Sequence, residues 1–233
     1  MSPTHDAVSP SPDDVFPGAV LRVYRPESRV VAFGRRDTRR PGFPSAVAAA
    51  RSAGFTPVVR PQGGRAVAYT ERSLVVDHIH PHTDTLDGMD ARFARYGELW
   101  ARVLSGFGID TRVGEVPGEY CPGAYSVNAR GVVKLVGTAQ RVIKGAWLFS
   151  AVAIFDDAEL LRPVLADVYR ALDLQFDVAS VGSIREEASS VSLERLETAI
   201  LAEYDGHDGL TATTLGAETT HLAQTLIDDH QLR

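Results

Sequence analysis

Short β-rich runs, punctuated by Gly, Pro, Asn and Lys, fill this chain as far as Phe155, and from Asp157 onward the pattern turns helical. That order confines it to a mixed α/β architecture in which helices pack on sheets. AVLRVYRP and RVVAFGRRD open the folded part, and the break at Pro26 to Ser28 between them reads as a hairpin. A helix is expected from Ser45 to about Ser52, where Ala46, Val47, Ala49 and Ala50 favour it and Gly54 stops it. FTPVVRP, RAVAY and SLVVDHIH follow as strands, with Gly63 and Gly64 breaking the first from the second. Met89, Phe93, Tyr96, Trp100, Val103 and Phe107 recur at spacings of three and four, which predicts a helix with one apolar stripe, ended by Gly106 and Gly108. IDTRV, YSVN, VVKLVG, QRVIK and AWLFSAVAIF read as further strands. Helices then fit Ala158 to Leu172, Leu193 to Tyr204 behind Ser192 as N-cap, and Thr219 to His230.

With 233 residues, 44% of them hydrophobic, the chain suffices for one well-packed α/β domain or for one domain with a small appendage. No window holds the ~18 consecutive apolar residues of a membrane helix. Residues 1–18 are rich in Pro, Ser and Asp, with neither a basic start nor an apolar core, and read as a disordered lead-in instead of a signal peptide. One cysteine excludes an internal disulfide framework and any CxxC zinc or redox motif, which agrees with a reducing, cytoplasmic compartment. A net charge of −6 argues against nucleic acid as the principal partner. GRRDTRR concentrates Arg35, Arg36, Arg39 and Arg40 in this acidic chain; its plain reading is a solvated turn. No internal repeat is visible. DVASVGSIREEASS reads as a linker between a catalytic part, residues 19–175, and a helical C-terminal extension, residues 176–233.

The chemistry concentrates in GEYCPGAYSVNARGVVKLVGTAQR, where the lone thiol of Cys121 precedes Lys134 inside an otherwise apolar strand. A lone cysteine is commonly a small buried hydrophobe. Here Pro122 holds Cys121 extended, and Gly118 and Gly123 bracket a turn, so the thiol belongs to a loop that presents side chains. Attack needs the thiolate, which a nearby ammonium favours. Strand alternation puts Lys134 on the face opposite Val133 and Leu135: either an outward lysine on a half-exposed strand, or a cation that polarises an acyl carbonyl. Gly63 and Gly64 can bring backbone N–H groups to a ligand, although a plain turn explains the pair equally well. His78, His80 and His82 would share a strand face, but Pro81 interrupts it and no further ligand completes a zinc set, so no metal is expected.

Taken in order, these segments resemble the lipoate-protein ligase and octanoyltransferase superfamily, whose catalytic domains share a fold with biotin protein ligases. GRRD stands where the superfamily has a Gly-Arg-rich strand end, RPQGGRAVAY resembles its R-x-x-G-G-G-A-V-Y-H acyl-pocket motif, and KLVGTAQR its K-I-x-G-x-A-Q motif. The resemblance implies an α/β (α+β) fold of mixed, largely antiparallel sheets flanked by helices. It puts the catalytic lysine on Lys134 and assigns acyl or substrate binding to Arg60, Gly63, Gly64, Arg65, Ala66, Val67 and Tyr69, and to Gly137, Thr138, Ala139 and Gln140.

Departures choose the branch. The motif's third glycine is Arg65, its histidine falls on Tyr69, and RSLV replaces the usual Gly-Asn-Leu-Asn, at positions that shape the nucleotide side of the ATP-using ligases. EYCPGAYSV resembles instead the cysteine loop of the amidotransferase branch. Those enzymes take octanoyl or lipoyl from the glycine-cleavage H protein and pass it to lipoyl domains of 2-oxoacid dehydrogenases, with the loop cysteine, Cys121 here, as nucleophile. The implied reaction moves an acyl group through a Cys121 thioester, with Lys134 holding the oxyanion and no cofactor beyond the transferred octanoate or lipoate. Val67, Leu74, Val76 and Val136 would line the acyl slot, and Arg35, Arg36, Arg39 and Arg40 gain a second reading as a docking patch for acidic carriers. An ATP- and Mg-dependent lipoate ligase is the alternative, and a non-catalytic binder of lipoate or lipoyl domains is the third reading.

Overall fold

Alternation in SLVVDHIHP and AWLFSAVAI aims side chains of two adjacent strands, β6 (Ser73–Pro81) and β10 (Ala146–Ile154), into two separate cores. Leu74, Val76, Trp147, Phe149, Ala151 and Ala153 face one core; Val152 and Ile154 face the other. The molecule is a computed structural model that describes residues 7–10, 18–81 and 88–232.

The larger sheet also contains β1 (Ala7–Pro10), β2 (Val20–Tyr24), β7 (Thr111–Val113), β8 (Val127–Ala129), β9 (Val133–Ile143) and β11 (Leu210–Thr213), in the order β11-β1-β2-β6-β10-β9-β8-β7. Each of its pairings is antiparallel. On one face lie α2 (Met89–Ser105) and α5 (Leu193–Asp208), the latter capped by Ser192 Oγ, which accepts from Arg195 N–H. The expected stripe of α2 does the packing: Tyr96, Trp100 and Val103 are buried, with Phe93 and Phe107 half-buried against them. Leu196, Ile200 and Tyr204 of α5, and Ile184 of the short α4 (Ile184–Glu187), are buried in that same core. The α4 and α5 part of the stretch read as a helical extension therefore shares its packing with the strands.

The second core lies between the larger sheet and a small one of order β4-β3-β5, built from β3 (Val30–Phe33), β4 (Thr56–Val59) and β5 (Val67–Tyr69). β3 and β4 are parallel and joined across α1 (Phe43–Ser52), whereas β5 returns antiparallel to β3. α1 packs on α3 (Ala158–Ala171), and Gly42 sits so close to the carbonyl of Ala171 that a side chain there would collide with it. The free edge of β4 is covered where Gln231, just beyond α6 (Ala217–His230), bridges to Val58.

Mixed, largely antiparallel sheets flanked by helices match the expected fold class, while several details correct the sequence reading. β2 and β3 are not a hairpin; they belong to different sheets, because β2 pairs with β6 and β3 with β4 and β5. VVKLVG and QRVIK are one continuous strand, β9, since Gly137 is accommodated within the pairing to β10. Ala7–Pro10, inside the stretch expected to be a disordered lead-in, pair as β1 with β11, a strand the sequence reading leaves out. His82 lies outside the described residues. His78 packs between Tyr96, Trp147 and Tyr204, and His80 stacks on Trp147.

Candidate active site

Three segments meet at the sulfur of Cys121: the loop between β7 and β8 that carries it, the loop from β4 to β5 that carries the glycine pair, and the start of β9 that carries Lys134. The cysteine loop is shaped from within by Glu119, whose buried carboxylate accepts hydrogen bonds from Val116 N–H (3.2 Å), Gly123 N–H (2.9 Å) and Ser126 Oγ (2.6 Å). Lys134 Nζ adds a fourth bond at 3.2 Å. Both side chains of this ion pair are enclosed, Lys134 being only 2% exposed. A buried charge needs such a partner and further hydrogen bonds. The remaining ammonium donors go to the carbonyls of Tyr120 (3.1 Å) and Cys121 (2.9 Å), and the Tyr120 ring lies 4.9 Å away.

Cys121 is not extended as expected ahead of Pro122: it has φ of 44°, a left-handed conformation uncommon outside glycine. It is held there from α3. The phenol of Tyr169 accepts Cys121 N–H at 2.6 Å and donates to the carbonyl of Ala66 at 3.0 Å, joining the cysteine loop to the glycine loop. Burial, and then the neighbouring Cys121, push the Tyr169 phenol well above its ordinary range, so it remains a neutral donor.

On the other side of the sulfur, Arg65 N–H lies 3.2 Å and Arg60 Nη2 3.5 Å from Sγ. Gly64, with φ of +101°, makes this approach possible: a Cβ there would lie 2.6 Å from Sγ and 2.7 Å from Arg60 Nη2. The Arg65 side chain turns away to Asp37 (3.2 Å), a fully buried carboxylate that also accepts Gly34 N–H (3.0 Å). The loop is strapped to the large sheet by Gln62, which donates to Ser150 Oγ at 3.1 Å, and by Arg141, which donates to the Pro61 carbonyl at 3.0 Å.

Beneath these groups lies a cavity of about 20 Å³, lined by Val67, Ala68, Tyr120, Val152 and Ile154 on its apolar side and by Arg60, Cys121, Lys134, Gly137 and Thr138 around the thiol. That is room for about one water, so an acyl chain must part these walls to enter. Gly137 keeps the lysine's path clear, since a Cβ there would press on Lys134 Cε at 3.3 Å.

Of the residues expected at the site, Cys121, Lys134, Arg60, Gly64, Arg65, Val67, Gly137 and Thr138 come together. Ala66 contributes its carbonyl to Tyr169, and Gly63 N–H reaches the Gln140 carbonyl at 3.5 Å. The Gln140 side chain points the other way, bonded to Arg92 (2.9 Å) and the Met89 carbonyl (2.8 Å) on α2. Ala139 is buried outside the cavity lining. Tyr69 also lies outside that lining, where burial pushes its phenol up to about 12. Leu74, Val76 and Val136 are buried in the core against α2 and do not line the slot; the alternation of the large sheet assigns that role to Val152 and Ile154. In the basic cluster Arg35, Arg36 and Arg39 are exposed, but Arg40 is bonded to the carbonyls of Leu172 and Asp173 at the end of α3. Glu119, Tyr169 and Asp37 are the supporting residues that sequence reading misses.

The model of the lipoyl protein ligase A/B catalytic domain matches residues 13–205. Among curated proteins, the octanoyl-[GcvH]:protein N-octanoyltransferase of Geobacillus kaustophilus is 33% identical over 127 residues, 54% of this chain and 44% of that relative. The matched stretch thus spans less than half of the relative's length. Among solved structures, lipoate-protein ligase A bound with ATP superposes with a TM-score of 0.71 at 20% identity, covering 90% of this chain and 81% of that one. A bipartite lipoate protein ligase studied with its E2 lipoyl domain from Thermoplasma acidophilum gives 0.69, also at 20% identity, over 90% and 80% of the two chains. No helix among the described residues is long and apolar enough to cross a membrane.

Proposed function

Because the chain belongs to the lipoyl protein ligase A/B catalytic domain family, we propose that it is an acyltransferase of protein lipoylation that moves an octanoyl or lipoyl group between carrier lysines through a thioester on Cys121. The observation that carries this reading is the sulfur's setting. A cysteine held at φ 44° meets a backbone N–H, a guanidinium and, across its own carbonyl, a buried ammonium. A structural cysteine needs none of these.

In the first step the Cys121 thiolate attacks the carbonyl of an acyl-lysine on the donor. The carbon–sulfur bond forms, the carbon–nitrogen bond breaks, and the departing lysine amine takes up the proton that the thiol gave up. Lys134, already donating to a carbonyl oxygen beside the sulfur, redirects one N–H to the oxyanion of the tetrahedral intermediate. In the second step an acceptor lysine attacks the thioester and the thiolate leaves. An amide is broken and an amide is made, so the exchange needs no ATP.

The donor by this reading is an octanoylated glycine-cleavage H protein, as in the names of the curated relatives, and the acceptors are lipoyl domains of 2-oxoacid dehydrogenases. Arg35, Arg36 and Arg39 form the docking patch for these acidic domains, in the reducing cytoplasm where a lone thiol persists. The test is Cys121→Ala and Cys121→Ser assayed for transfer from an octanoyl carrier and for attachment of free lipoate with ATP. Both variants should be inactive in transfer, and the wild type should not need ATP. ATP-dependent attachment of free lipoate by Cys121→Ala at the wild-type rate would replace this reading with that of a ligase.

A further inference from the structure

We propose that Arg60, not Lys134, is the cation that holds the Cys121 sulfur as an anion, both when it attacks and when it leaves. This deepens the cysteine-transferase reading and rests on it. Lys134 has its ammonium donors directed to three oxygens, Glu119 Oε1, the Tyr120 carbonyl and the Cys121 carbonyl. Its charge is thus committed to the carbonyl side of the cysteine.

Arg60 is arranged differently. Its Nη2 donates to the Arg65 carbonyl at 3.0 Å and lies 3.5 Å from Sγ, while its Nε is buried with no hydrogen-bond partner among the described residues. A buried guanidinium nitrogen without a partner calls for an explanation. Nη2 of the same guanidinium faces the sulfur, which can accept from it as an anion. The glycine loop is built around that contact, since a side chain at position 64 would collide with Sγ and with Arg60 Nη2 alike. Arg65 N–H completes the cradle at 3.2 Å. A guanidinium suits the task because it stays charged throughout the working range and offers several fixed donors.

The two cations therefore divide the reaction. Arg60 accompanies the charge on sulfur, which disappears on acylation and returns when the thioester is cleaved. Lys134 meets the charge that builds on the carbonyl oxygen between those events.

The chain has one cysteine, so iodoacetamide reports on Cys121 alone and needs no acyl donor. Arg60→Gln and Arg60→Met should be alkylated at least tenfold more slowly than wild type at pH 7, with Arg60→Lys in between. All four proteins should react equally in urea. Formation of the acyl-enzyme should slow in parallel while KM for the carrier stays put, a split that a docking or purely structural role would not produce. Circular dichroism melts identify a variant that fails to fold; Arg60→Met, which keeps the packing of the stem, then carries the comparison. Alkylation of either folded neutral variant within twofold of wild type overturns the proposal. A wild type that is alkylated rapidly but never acylated would instead fault the transferase reading and leave the role of Arg60 at the sulfur standing.

Discussion

Lys134 and Glu119 form an ion pair at almost zero exposure, so Lys134 cannot be removed without a structural consequence. Lys134→Ala should lower transfer by roughly 10²–10³, the usual cost of losing one oxyanion donor. It should also lower stability by about 3–5 kcal/mol, because the Glu119 carboxylate is left buried and unpaired. The double variant Lys134→Met/Glu119→Gln separates the effects: denaturation midpoints should recover much of the loss, whereas transfer should not return. Recovery of transfer in the double variant would place Lys134 outside the chemistry. His78 gives a second residue-scale expectation. Burial first, then His80 and Arg95, lower its pKa from 6.5 to about 3. Between those values the unfolded chain binds a proton that the folded chain refuses, so stability falls as the pH drops, by up to about 1.4 kcal/mol per unit. Urea midpoints at pH 7 and pH 5 should show a shallower fall for His78→Gln than for wild type.

At the scale of elements, two loops and the start of β9 make the candidate site with α3 behind them, and the loops and the helix can each be loosened separately. Gly64→Ala meets both a left-handed backbone and the sulfur itself, and should cost about 10² or more in transfer, since misplacement by an ångström is enough for that. Tyr169→Phe removes the one hydroxyl shared by Cys121 N–H and the Ala66 carbonyl, which should cost about 1–3 kcal/mol in stability and slow formation of the acyl-enzyme. Unchanged melting and acylation in Tyr169→Phe would show that α3 does not position the cysteine. These elements differ in how far they can be read from sequence. The α2 stripe is legible because one helix face repeats every three to four residues. Cys121, Lys134 and the glycine pair are singled out because family motifs fall on them; their residue types alone leave a buried thiol, an outward lysine and a plain turn open. Tyr169 and Glu119 are not legible, since a tyrosine on an amphipathic helix reads as core and an acid in a loop reads as surface. Nor does local patterning say that β2 and β3 part into different sheets, because sheet membership depends on partners distant in the chain.

For the whole molecule, the larger sheet separates a core that serves stability from one that serves the site: α2 and α5 close the first, while the small sheet, α1 and α3 close the second around the thiol. The exposed Arg35, Arg36 and Arg39 stand just beyond β3 of that small sheet. Transfer between intact carrier domains should therefore weaken steeply as salt is raised, the Debye length shrinking from ~10 Å at 0.1 M to ~3 Å at 1 M, while acylation from a small thioester donor changes much less. Equal salt dependence of the two reactions would remove the patch from docking. The central claim is the covalent intermediate, and intact-mass measurement after incubation with an octanoylated carrier in the absence of ATP tests it most directly. The account predicts one octanoyl group on Cys121, released by hydroxylamine and absent from Cys121→Ala. A protein that stays unmodified until free lipoate and ATP are added, and then holds only an acyl-adenylate, would contradict it.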